Sequence, residues 1–335
     1  MNRQKFIASL VLSALLCSIA FTETGLGETV SKKESAPSSS PRAYPDNAFK
    51  DIPHEYFTPC ENGGTITKFT YKTRDNQTVG SAEFEKSALV YLPYGYDEND
   101  SSVKYDVLYL MHGGGDSPAW HFGGSGINTP LKNVLDHMIK NGDMKPLIIC
   151  AVSYYTPYSP DATKNCIDFY YELNQDIIPV FELRYHTFAS NASEEELNKT
   201  RGHRAFGGFS MGACATWSAF EHCIDEMKYF LPVSGDCWAI GRGRFAETAK
   251  HLSDVTKKNG KTALDFKIYS GCGRFDIAQP NLTPMINEMK KYPDVFIYCD
   301  NFAAGNLYQC IYEKGGHDIN TVMRVMYNGL PKMFD

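Results

Sequence analysis

Three side chains of this 335-residue sequence have the types, spacing and order that acyl transfer to a serine demands. Ser210 sits in Gly208-Phe209-Ser210-Met211-Gly212, with glycine two places before and two places after it. That spacing marks a sharp turn from an apolar strand into a helix. The serine is exposed in a strained conformation, and a side chain at either glycine would clash across the turn. Alone the pentapeptide is weak, because residues this common place it by chance in roughly one chain of this length in ten. Asp276, in Ser270-Gly271-Cys272-Gly273-Arg274-Phe275-Asp276, and His317, in Gly315-Gly316-His317-Asp318, follow in turn. Nucleophile, acid and histidine in that order, each just past a different apolar run, form the sharper signal.

Their chemistry would be nucleophilic catalysis on an ester. His317 takes the proton of Ser210 as it attacks and returns it to the leaving alcohol, while Asp276 holds the imidazole tautomer and stabilises the imidazolium. Asp236, in Ser234-Gly235-Asp236-Cys237-Trp238, follows the preceding strand and is the alternative acid. The oxyanion needs two fixed N–H donors. These are expected from the backbone of Met211 and from Gly114 in the loop His112-Gly113-Gly114-Gly115. Trp120 and Trp238 are expected at the same edge, with Asp236, as a substrate-binding wall for a planar acyl group or a sugar face. There is no Cys-x-x-Cys pair or zinc-type His/Cys cluster, so no metal site is expected.

The elements that must position these residues are visible as patterns. Residues 64–73 alternate as an edge strand and 82–92 as its antiparallel partner. Apolar runs at 105–111, 146–153, 203–209, 229–233, 266–269 and 307–312 read as further strands, with a segment near 295–298 beside them. Helical stripes lie between, including one opened by Thr129-Pro130 and closed by Asn141-Gly142, one over 169–185 in which Pro179 should start a turn or a kink, one behind Ser210, and one over 284–291. The alternation predicts an α/β fold: a mostly parallel central sheet with helices on both faces and an antiparallel N-terminal edge.

With 43% hydrophobic and 13% aromatic residues, the chain has enough to build one large domain over 49–335. Residues 1–27 read as a secretory signal peptide: Arg3 and Lys5 precede an uncharged apolar run over 6–21. Residues 28–48, rich in Ser, Pro and charge, read as a flexible linker. A secreted, extracellular protein with no membrane segment after signal removal is expected. The net charge of −6 and the lack of a basic stripe argue against a nucleic-acid partner. Ten cysteines, one of them in the signal, leave an odd number, and Cys237 and Cys272 form a candidate disulfide. Asn76, Asn99, Asn191, Asn198 and Asn281 open glycosylation sequons.

From about Cys60 onward, several stretches agree in order with one family. They are Tyr91-Leu92-Pro93-Tyr94-Gly95-Tyr96, Tyr109-Leu110-Met111-His112-Gly113-Gly114-Gly115-Asp116, Leu173-Asn174-Gln175-Asp176-Ile177-Ile178-Pro179, His203 through Gly212, Ser234-Gly235-Asp236 and Gly315-Gly316-His317-Asp318. The chain resembles the secreted feruloyl and acetyl-xylan esterases of carbohydrate esterase family 1, with an esterase D-like α/β-hydrolase fold. The resemblance implies hydrolysis of feruloyl (hydroxycinnamoyl) esters on plant cell-wall arabinoxylan or its oligosaccharides, without a cofactor. Acetyl-xylan hydrolysis is the alternative within enzymes. A non-catalytic binding protein on the same fold is the alternative from a different class, and the intact triad argues against it.

Overall fold

The computed structural model describes residues 49–75, 80–124 and 129–334. The expected signal peptide, the linker and the sequon at Asn76 lie outside the described residues. Alternating burial shapes the sheet edge, where β1 (Thr65–Arg74) pairs antiparallel with β2 (Glu83–Leu92), from Thr65 opposite Leu92 to Arg74 opposite Glu83. The next strands are buried at every position, as strands covered on both faces must be: β3 (Asp106–Met111), β4 (Leu147–Val152), β5 (Arg204–Phe209) and β6 (Tyr229–Val233). With β7 (Lys267–Gly273) and β8 (Leu307–Tyr312) they complete one eight-stranded sheet of order β1-β2-β4-β3-β5-β6-β7-β8. β2 joins β4 antiparallel, and every pairing from β4 to β8 is parallel.

β7 runs four residues past the apolar stretch that announces it. Ser270, Gly271, Cys272 and Gly273 look like loop residues, yet they are the small residues that close packing requires. A Cβ on Gly271 would lie 2.6 Å from Val325 Cγ1. The segment at 295–298 forms only a bridge from Tyr298 to Leu307.

Helices flank the sheet in chain order: α1 (Ala119–Phe122), α2 (Pro130–Lys140), α3 (Ala162–Ile167), α4 (Phe169–Glu172), α5 (Ile178–Arg184), α6 (Glu194–Lys199), α7 (Met211–His222), α8 (Phe245–Lys258), α9 (Gln279–Met289) and α10 (Ile319–Gly329). Thr129 caps α2 as its type predicts, its side chain accepting from the Lys132 N–H. Pro179 marks an interruption of the helix rather than a kink within it. A π-turn over Leu173–Ile177 separates α4 from α5, so the proline enters α5 in the first turn, where its missing N–H costs nothing. α9 begins five residues earlier than its apolar stripe suggests, with Pro280 in its first turn and Pro284 inside it.

The two sheet faces carry separate cores because side chains alternate along each strand. Tyr109, Met111, Phe206 and Phe230 pack with Trp217 of α7, Phe181 of α5 and Met285 of α9. Leu108, Leu110, Ile149 and Leu231 pack with Val134 of α2 and Val325 of α10. Each such fully buried side chain stabilises the fold by about 1.5–3 kcal/mol. Charged side chains are buried as well, Arg204 among them. Arg204, 1% exposed at the start of β5, donates through Nε to Glu182 at 2.9 Å and through its other nitrogens to the Leu197 and Glu226 carbonyls and the Thr200 hydroxyl. These four hydrogen bonds and the Glu182 counter-charge are what make a buried guanidinium tolerable.

Candidate active site

Ser210 caps α7 at φ 57° and ψ −113°, a conformation that non-glycine residues rarely adopt. The flanking glycines make it possible. A Cβ on Gly208 would lie 2.5 Å from the backbone of Gly212, and one on Gly212 would lie 2.4 Å from the Met111 carbonyl oxygen. The Ser210 N–H donates to the Val233 carbonyl at 2.9 Å, which ties the turn to the end of β6.

His317 follows β8, with its Nε2 3.0 Å from Ser210 Oγ and its Nδ1 2.7 Å from Asp276 Oδ1. A carboxylate can only accept, so Nδ1 carries the proton and Nε2 presents its lone pair to the serine hydroxyl. The imidazole ring rests against Phe209, with centroids 4.5 Å apart. Asp276 lies just past β7 and is 3% exposed. Burial pushes its carboxyl up, but hydrogen bonds from His317 and the Ala278 N–H, with the neighbouring Ser234 hydroxyl, outweigh it and hold the group below the ordinary value. Ser234 faces the carboxyl without closing a full hydrogen bond: its Oγ and Asp276 Oδ2 are both buried and unpartnered.

Asp236 is directed elsewhere. Its Oδ1 accepts from Trp238 Nε1 at 3.1 Å, and burial pushes its carboxyl up. Of the two candidate acids, the structure brings Asp276 to the histidine. The Arg242 guanidinium lies over the Trp238 ring, 3.8 Å from its centroid.

A cavity of about 340 Å³ opens above Ser210, and Gly114, Met211, Asp236, Trp238 and His317 line it. Trp120 is not on that wall. Its ring stacks on Phe209 at 4.9 Å and 8°, because α1 directs it into the apolar cluster beneath the elbow. Residues that sequence reasoning missed add to the lining, among them Ser234, Arg242, Ile277 and Asn281. Their signal was faint: Ser234 stands two residues before Asp236, and Ile277 and Asn281 close after Asp276, but residue type alone gave none of them a role.

The glycine-rich loop is held from below. His112 is fully buried, and burial pushes its pKa down, so the ring is neutral. Its Nδ1 lies 2.7 Å from the Gly113 carbonyl and its Nε2 2.8 Å from the Ser153 hydroxyl, so Nδ1 bears the hydrogen. Tyr154 also donates to the Gly113 carbonyl at 3.1 Å, and Tyr155 Oη accepts from the Gly115 N–H at 2.7 Å. Gly114 fits against Met211, where a Cβ would meet Sδ at 2.9 Å. The Met211 N–H, in the first turn of α7, has no helical carbonyl in reach.

Cys237 and Cys272 are not joined, and all nine cysteines of the described residues are free thiols. Cys272 is fixed in β7 and Cys237 in the loop beyond β6, where its N–H meets Met285 Sδ at 3.3 Å. No group of three His, Cys, Asp or Glu residues that could hold a metal occurs among the described residues.

No family model matches the chain. It is similar to a solved serine-to-alanine mutant of the feruloyl esterase module from Clostridium thermocellum complexed with sinapinate, with 33% identity, TM-score 0.75, and coverage of 85% of this chain and 93% of that one. A ferulic acid esterase from Anaeromyces mucronatus, at 20% identity and TM-score 0.59, shares the fold. In sequence, the chain is 35% identical over 298 residues to endo-1,4-beta-xylanase Y of Acetivibrio thermocellus, covering 89% of this chain and 26% of that protein. It is 27% identical over 162 residues to an endo-1,4-beta-xylanase/feruloyl esterase of Xylanibacter ruminicola, covering 46% of this chain and 19% of that protein. The chain thus spans about a quarter or less of the length of these curated relatives.

Proposed function

The chain belongs to the feruloyl esterases, and from that membership we propose that it is a secreted serine carboxylesterase of carbohydrate esterase family 1 that hydrolyses feruloyl esters on plant arabinoxylan. One observation carries the proposal: the hydrogen-bonded chain Ser210–His317–Asp276 faces a cavity large enough for an aromatic acyl group. At about 340 Å³ the cavity is in the range that takes whole aromatic ligands, which favours a hydroxycinnamoyl group over acetate.

In the first step Ser210 Oγ attacks the ester carbonyl while His317 Nε2 accepts its proton across 3.0 Å. Asp276, kept ionised, stabilises the imidazolium formed at Nδ1. The tetrahedral oxyanion is held by the N–H groups of Met211 and Gly114. The imidazolium then protonates the leaving sugar hydroxyl, giving a feruloyl-Ser210 ester. Water, activated by the same nitrogen, attacks that ester and releases ferulate. Trp238, oriented by Asp236 and covered by Arg242, offers a flat wall to the acyl ring. Export of the protein is supported by the charged start and apolar run of residues 1–27.

Ser210→Ala should abolish turnover of methyl ferulate, and a fluorophosphonate should label wild-type protein at Ser210. Retention of most activity by the variant would refute the mechanism. Comparing methyl ferulate with acetylated xylan separates the feruloyl from the acetyl substrate.

A further inference from the structure

We propose that Ser234 is a positioning residue of the catalytic chain, its hydroxyl donating to Asp276 Oδ2, the carboxylate oxygen that His317 does not use. This rests on the serine-esterase reading above. Ser234 follows β6 directly at φ 60°, a left-handed conformation that costs a serine energy. The surroundings hold it there. Its N–H donates to the Gly271 carbonyl at 2.8 Å, and the next residue, Gly235, is pressed so close to the elbow that a Cβ would lie 2.6 Å from the Ser210 carbonyl oxygen. The acid, the nucleophile and Ser234 are therefore referenced to the same two strand ends.

The polar atoms point the same way. Ser234 is 1% exposed and its Oγ has no partner, while Asp276 Oδ2 is buried and equally without one. Leaving two such atoms unsatisfied side by side costs more than pairing them, and the hydroxyl rotor is free to turn toward the carboxylate. The pairing gives both atoms a partner at once. It also fixes the carboxylate's rotation, so that Oδ1 stays aimed at His317 Nδ1. The Ser234 hydroxyl already acts to lower the Asp276 carboxyl. The other titratable groups acting on Asp276 are His317 and the thiol of Cys272, which burial pushes up to about 12 and so keeps neutral.

Two variants test this with methyl ferulate turnover measured across pH. Ser234→Gly removes the hydroxyl at a φ that glycine adopts freely, and Ser234→Ala removes it while keeping the strained Cβ. Both should lose roughly 10-fold in kcat with little change in KM. In both, the acid limb of kcat/KM, set by His317, should move to higher pH, since a carboxylate with one donor fewer holds the imidazolium more tightly. A glycine variant with wild-type kcat and an unmoved limb overturns the inference, and so does a loss of kcat with an unmoved limb, which would assign Ser234 to packing alone. If wild-type protein neither turns over methyl ferulate nor takes a fluorophosphonate at Ser210, the esterase reading and this inference fall together. If wild type is active and the variants give either overturning result, only the Ser234 inference falls.

Discussion

Gly273 and Gly315 meet backbone to backbone: a Cβ on Gly273 would lie 2.3 Å from the Gly315 carbonyl carbon. Hydrogen bonds reinforce the contact, with the Phe275 N–H donating to the Gly315 carbonyl and the Arg274 N–H to the Tyr312 carbonyl, each at 2.9 Å. The loop that carries Asp276 and the loop that carries His317 are thus clamped together. The 2.7 Å approach of the two side chains follows from two residues that have none.

Gly273→Ala should therefore act on chemistry and stability together. Forcing a methyl group into that contact costs about 1–3 kcal/mol and pushes the acid loop off the histidine loop. Urea denaturation should show the destabilisation, and kcat for methyl ferulate should fall by roughly 100-fold. A variant with wild-type stability and kcat would remove the clamp from the account.

The two candidate acids separate by substitution. Asp276→Asn should lower kcat by roughly 10⁴-fold, because an amide at that position favours the wrong imidazole tautomer. Asp236→Asn leaves the hydrogen bond to His317 in place and should act mainly on KM, through the orientation of Trp238. Steady-state kinetics on both variants decide the matter, and the opposite pattern would make Asp236 the acid.

Acid stability should report the same carboxyl. The folded-state pKa of Asp276 lies below its ordinary value of 3.8. Its contribution is therefore complete above that value and is lost as pH falls through the folded one. Thermal unfolding of wild type and Asp276→Asn should converge as pH falls from about 5 toward about 2. A gap between them that stays constant over that interval would contradict the depressed value.

Glu182→Gln should be costly far from the active site. It leaves Arg204, 1% exposed, without its counter-charge and weakens the acceptor of Tyr109 Oη. Breaking a buried pair in this way costs about 3–5 kcal/mol. Denaturant midpoints should drop sharply while KM stays near wild type in protein that remains folded.

Much of this site could be read in advance because glycine spacing reports backbone contacts. Gly208 and Gly212 mark the elbow, and Gly315 marks the histidine loop, since each stands where a side chain would collide with main chain. The positions of the buried strands along the chain followed from unbroken apolar runs such as Leu147–Val152. What stayed hidden depends on direction or on distant partners. Trp120 and Trp238 look alike in sequence, yet one stacks on Phe209 beneath the elbow and the other faces the cavity. The extension of β7 through Ser270–Gly273 is set by α10 and the histidine loop, which lie some fifty residues downstream. The π-turn at Leu173–Ile177 answers to Pro179 and to sheet contacts together, since Asp176 within it accepts from Thr73 of β1 at 2.7 Å.

The free thiols set how the protein matures. Burial pushes Cys166, Cys237 and Cys272 up to about 12 and Cys150, Cys214 and Cys223 well above their ordinary value, so these sulfurs are neither nucleophiles nor easy targets for oxidants. Among the described residues no covalent cross-link has to form, so their native packing is one that a reducing environment leaves intact.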